Sequence, residues 1–61
     1  MKTFRIYVTD KSQALSVLEA SEFEAKDGAT YVEVSIQPEQ KMDVITLLNR
    51  QKVVLYDIEE V

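Results

Sequence analysis

Residues 21–36, Ser21-Glu22-Phe23-Glu24-Ala25-Lys26-Asp27-Gly28-Ala29-Thr30-Tyr31-Val32-Glu33-Val34-Ser35-Ile36, form two runs of alternating polar and apolar residues joined by Asp27-Gly28. That dipeptide suits a two-residue type I′ turn, in which both central residues need positive φ, and Gly28 is the only glycine of the chain. With Lys26 and Ala29 flanking the turn, the register pairs Ala25 with Thr30, Glu24 with Tyr31, Phe23 with Val32 and Glu22 with Glu33. Phe23 and Val32 then share the buried face. A hairpin in the middle of a short chain decides the fold, because what precedes and follows it must supply the remaining layers.

Upstream, Thr3-Phe4-Arg5-Ile6-Tyr7-Val8-Thr9-Asp10 alternates in strict period two: Phe4, Ile6 and Val8 face one way, Arg5 and Tyr7 the other. Asp10-Lys11-Ser12-Gln13 fits a capping box, with the Asp10 carboxylate accepting from the Gln13 amide and the Gln13 side chain reaching back. A helix is expected from Lys11 to about Ala20 or Ser21, its apolar stripe made of Ala14, Leu15, Val17 and Leu18. Downstream, Pro38 followed by Glu39 matches the first turn of a second helix running to about Arg50, with Met42, Ile45 and Leu48 inward and Val44 beside them. The last run, Lys52 to Ile58, is a strand with two phases open: Val53 and Leu55 inward with a bulge before Ile58, or Val54, Tyr56 and Ile58 inward. The first phase is preferred. The order βαββαβ predicts an α+β, ferredoxin-like sandwich: a four-stranded antiparallel sheet with both helices on one face and the first and third strands central.

Sixty-one residues make one domain, spanning 1–61, and bury about 60% of the surface the unfolded chain exposes. There is no cysteine and no histidine, so disulfides, thiolate or imidazole chemistry and the usual zinc sets are excluded. Eleven acidic against seven basic residues give a net charge of −4, which disfavours nucleic acid and anionic lipid, the cations being dispersed. No run approaches the ~20 apolar residues of a membrane span, and the N-terminus lacks a signal-peptide block. A cytoplasmic protein without cofactor or metal, and without membrane insertion, is expected.

In the expected fold, one side of the sheet is uncovered. Arg5 and Tyr7 lie at its centre beside Tyr31, Glu33 and Ser35, with Glu22 and Glu24 at one edge. Such a face is either a solvated surface, on which tyrosine and paired charges favour strands, or a docking surface anchored by tyrosine and arginine. Aromatics on the two central strands also suit base stacking, but the third strand, Thr30 to Ile36, lacks the basic, glycine-containing RNP1 pattern. Glu22 with Glu24 or Glu33 is the one carboxylate cluster available for acid–base work, and it lies on a flat sheet with no cleft to raise a pKa. Asp57, Glu59 and Glu60 read as an acidic tail. A Gly-rich phosphate loop is excluded by the glycine count.

The succession IYVTDKSQALSVL (6–18), the acidic hairpin, the helix IQPEQKMDVITLLNR (36–50) and the closing VVLYDIEEV (53–61) resembles the small C-terminal accessory domain of ABC-transporter ATP-binding subunits of the bacitracin-resistance and multidrug-export type. The closing pattern apolar-x-apolar-Tyr-acid-apolar is carried by Val53, Leu55, Tyr56, Asp57 and Ile58. The resemblance implies a noncatalytic, regulatory interaction domain on the cytoplasmic side of a transporter, docking on the ATPase domain in cis or on a second subunit. The Walker and signature motifs that hydrolyse ATP in such subunits are not in this chain. The partner-binding residues expected on the uncovered face are Arg5, Tyr7, Tyr31 and Glu33. The alternative is a stand-alone ferredoxin-like module that forms a homodimer or binds a small ligand.

Overall fold

The computed structural model describes residues 1–61. Strand β1 (Lys2–Val8), helix α1 (Lys11–Ala20), strands β2 (Glu24–Asp27) and β3 (Val32–Ile36), a 3-10 turn (Pro38–Gln40), helix α2 (Lys41–Arg50) and strand β4 (Leu55–Glu60) follow in that order. The sheet is antiparallel with order β2-β3-β1-β4, and both helices pack on one side, a ferredoxin-like α+β fold. The buried core is wholly apolar: Phe4, Ile6 and Val8 of β1 and Val32, Val34 and Ile36 of β3 meet Ala14, Leu18, Val44, Leu48 and Val53.

The two βαβ halves repeat each other at an offset of thirty residues. Helices α1 and α2 are each ten residues long, starting at Lys11 and Lys41, and bury equivalent positions: Ala14 and Leu18 in one, Val44 and Leu48 in the other. Both end in the same hydrogen-bonded motif. Glu22 and Lys52 take left-handed backbones with φ of 66° and 61°. The next amides, of Phe23 and Val53, donate to Leu18 O and Leu48 O, each at 2.9 Å. An apolar residue beyond each left-handed one returns to the core, which is how both helices turn back into strands.

Several local expectations are corrected. The hairpin is slipped by four residues: Ala25 pairs with Val34, not Thr30, and Asp27 pairs with Val32, leaving a loop over 28–31. Phe23 therefore does not face Val32 across a strand pair, and Glu22 lies in the helix terminus rather than at the sheet edge. An even slip leaves each side chain on its expected face, so hydrophobic alternation cannot distinguish the two registers. Pairing Ala25 with Val34 brings the short β2 against the apolar middle of β3. Lys11 secures the loop, its ammonium donating to Asp27 Oδ1 at 2.8 Å, Gly28 O at 2.7 Å and Ala29 O at 3.1 Å.

Gly28 does not adopt positive φ. Its hydrogen matters for space: a Cβ there would lie 2.8 Å from Tyr31 O and inside contact distance of the Tyr31 ring. At α1 the Gln13 amide does donate to Asp10 Oδ1, at 3.1 Å, but the Gln13 side chain donates to Gln51 O across to the end of α2 instead of closing the box. Pro38 opens the 3-10 turn, after which α2 starts at Lys41. Met42 is 64% exposed, and Val44 takes the inward place assigned to it. In β4 the preferred phase is the observed one. Ile6 pairs with Ile58 and Tyr7 with Asp57, but Val8 pairs with Leu55, so Tyr56 is the extra residue of a bulge.

Candidate functional site

The uncovered side of the sheet is built by the odd-numbered positions of β1 and β3, which alternation turns away from the core. Arg5 is the register partner of Glu33 on one side and Glu59 on the other, and Glu33 in turn faces Lys26. Tyr31 is the last loop residue rather than part of the third strand, yet its ring stands on this face because Gly28 leaves room for it. Thus the structure brings Arg5, Tyr7, Tyr31 and Glu33 together. Glu33 joins by position alone, making no side-chain hydrogen bond or ion pair.

Arg5 and the aromatic rings form one connected assembly. The Tyr7 and Tyr31 centroids are 5.8 Å apart with planes at 62°, an edge-to-face contact. The Arg5 guanidinium carbon lies 4.8 Å from the Tyr31 centroid, within cation–π range. Tyr56 was missed as a site residue. Its centroid is 6.4 Å from that of Tyr7, at 44°. The signal for it was the bulge: inserting one residue between Leu55 and Asp57 turns Tyr56 onto the open face.

Arg5 is held loosely by its ion pair, Nη1 being 3.9 Å from Glu59 Oε1, and its Nε is sealed from solvent with no hydrogen-bond partner in the chain. A surface pair of this kind contributes about 0–1 kcal/mol, whereas a buried unpaired N–H costs about 1–3 kcal/mol. Arg5 is thus not placed there for the stability of the ion pair. The Tyr7 hydroxyl donates to Glu59 Oε1 at 3.0 Å. That hydrogen bond, followed by partial burial and the negative charges of Glu59 and Asp57, raises the Tyr7 phenol above its ordinary value, with Arg5 opposing.

No group of three or more acidic side chains is arranged to hold a metal ion. On the β2–β3 side of the face Glu33 is interleaved between Lys26 and Arg5. On the β2–β3 side Thr3, Glu24, Lys26, Glu33 and Ser35 enclose a depression of about 80 Å³. Small-molecule sites run from about 300 to 1,000 Å³, so this depression suits a partner's single side chain at most. On the opposite, helical side, Phe23, Leu47 and Arg50 help to line an open groove of about 310 Å³.

No protein-family model, curated protein or solved structure matches this chain. No helix is long and apolar enough to cross a membrane.

Proposed function

We propose that this chain is a noncatalytic interaction domain that docks a protein partner through the open face of its sheet. The observation that carries this reading is the connected assembly of Arg5, Tyr7, Tyr31 and Tyr56 on the uncovered side, where the core does not need it. Tyrosine and arginine are the residues most often found as energetic anchors of interfaces, because each combines a large contact area with a polar group. Arg5 and the three rings already pack against one another in the free domain, which lowers the side-chain freedom lost on binding.

The setting follows from the resemblance to accessory domains of ABC-type transport ATPases: the partner is the ATPase domain or a second subunit, on the cytoplasmic side. A domain of this size offers about 600–1,000 Å² to such a partner, which makes the contact weak and reversible. Titration of the ¹⁵N-labelled chain with an ATP-binding subunit of the bacitracin-resistance type, deleted for its own accessory domain, tests the reading. Amide shifts confined to Arg5, Tyr7, Tyr31, Glu33 and β4 are expected. Shifts confined to α1 and α2, or none at millimolar subunit, would overturn it.

A further inference from the structure

The three tyrosine rings form a shelf rather than a cage. Centroid separations of 5.8 and 6.4 Å mean that each ring touches the next, leaving no gap in which a rounded cation could be boxed. What lies on such a shelf is illustrated by the chain itself: Arg5 stacks over Tyr31 and points Nη1 towards Glu59. The Tyr31 end is therefore occupied. The other end, Tyr7 and Tyr56, is flanked by Asp57 and Glu59 of β4, and Tyr56 is 64% exposed.

Charge is unevenly distributed across the face. Towards β2, Glu33 lies between Lys26 and Arg5. Towards β4, Lys2 pairs with Glu60, while Arg5 and the Tyr7 hydroxyl both use Glu59 Oε1, so Glu59 Oε2 has no partner in the chain and no ion pair uses Asp57. Asp57 accepts only from the neighbouring Ile58 amide, at 2.9 Å. An aromatic surface beside an excess of carboxylate selects a partner group that is both flat and cationic.

We propose that the Tyr7–Tyr56 end of the shelf receives an arginine side chain of the partner, its guanidinium plane on the rings and its N–H fork on Asp57 and Glu59. This rests on the docking reading and names its partner chemistry. A lysine matches the charge but has neither the plane to stack nor the fork to bridge two carboxylates. A second copy of the chain is disfavoured as occupant, since it carries a net charge of −4 and would bring like charge to an acidic edge.

The test is NMR titration of the whole chain with blocked tetra-arginine, tetra-lysine and tetra-glutamate peptides, repeated on the Asp57→Asn/Glu59→Gln and Tyr56→Ala variants. All three substituted positions are exposed, so the fold is expected to persist, and the amide spectrum verifies this. Tetra-arginine is expected to give saturable shifts at Tyr7, Tyr56, Asp57 and Glu59, with tetra-lysine weaker and tetra-glutamate inert. The double variant should weaken arginine binding by about tenfold, the loss of a charge-assisted contact, and Tyr56→Ala should abolish the preference over lysine. Equal affinity for lysine, unchanged affinity in the double variant, or no binding overturns the proposal. If the domain-deleted ATP-binding subunit still shifts the open face while tetra-arginine does not, only the arginine assignment falls. If neither does, the docking reading falls with it.

Discussion

The two faces of this sheet are made of different chemistry for different ends. The helix-covered face is aliphatic apart from Phe4, and no polar or charged residue is buried in it. The open face, from the same strands one residue out of phase, collects tyrosines, Arg5 and carboxylates that remain half in water. Burial of the first removes apolar area from water at about 25 cal/mol per Å², and that is what makes the chain fold. The second contributes ring contacts and weak pairs, and it tolerates an unpaired Arg5 N–H that a face selected for stability alone would not keep. One face specifies the structure; the other is the face we propose for recognition.

Substitution should separate the two. Leu18 is fully buried, and Leu18→Ala is expected to cost about 2–5 kcal/mol. Total stability for 61 residues is about 3–9 kcal/mol, so a large fraction of that variant should be unfolded in urea titrations near neutral pH. Phe23→Ala, at a half-buried position, should cost less. A smaller loss at Leu18 than at Phe23 would break the distinction between the closed core and its rim.

Gly28→Ala comes next because it acts on both faces' connection. The added methyl meets Tyr31 O at 2.8 Å, a backbone atom that cannot swing away, so a loss of about 1–3 kcal/mol is expected. The Tyr31 ring should also leave Arg5, visible as altered ring-current shifts at the Arg5 side chain. An unchanged Tyr31 environment would show that the glycine is not needed for close approach.

Replacing the non-glycine residues at the helix ends should have a smaller effect and the opposite sign. Glu22→Gly relieves a left-handed backbone at φ 66°, a conformation costing about 1–2 kcal/mol for residues with Cβ, against about 0.5–1 kcal/mol of added unfolded-state entropy. A net gain of up to about 1 kcal/mol is expected. Chemical denaturation of the single variant decides this, and destabilisation would contradict it.

The smallest effect is electrostatic and local to the open face. Tyr7 ionises above its ordinary value of 10.0 because its neutral hydroxyl donates to Glu59. A raised folded-state pKa favours the neutral form, so the linked stability is complete below the unfolded value and is lost as pH rises through the folded one. Glu59→Gln keeps an acceptor but removes the charge, and should move the titration of Tyr7 downward in ¹³C spectra. No movement would place the cause elsewhere.

The fold was legible because its signals are periodic: alternation in β1 and β3, helical spacing from Ala14 to Leu18, and the single proline before α2. The β2–β3 register was not, since a four-residue slip preserves every face, and Lys11, whose ammonium holds the loop over 28–31, lies far from it in sequence. The thirty-residue repeat was also missed. Its equivalent residues share burial and backbone geometry more than identity, as Glu22 with Lys52 and Phe23 with Val53 illustrate. At the site, Arg5 and Tyr7 were readable from strand parity, whereas Tyr31 reaches the face from the loop through the space left by Gly28. Tyr56 depended on a bulge, and a bulge changes parity without changing composition.

The most direct measurement is calorimetric binding of the Tyr7→Thr/Tyr31→Thr variant to the domain-deleted ATP-binding subunit, with its denaturation curve recorded alongside. Threonine preserves strand preference, so the variant should stay folded. Its affinity should fall about thirtyfold, equivalent to about 2 kcal/mol for the loss of two anchors. A folded variant that binds as tightly as the parent would contradict the assignment of recognition to this face.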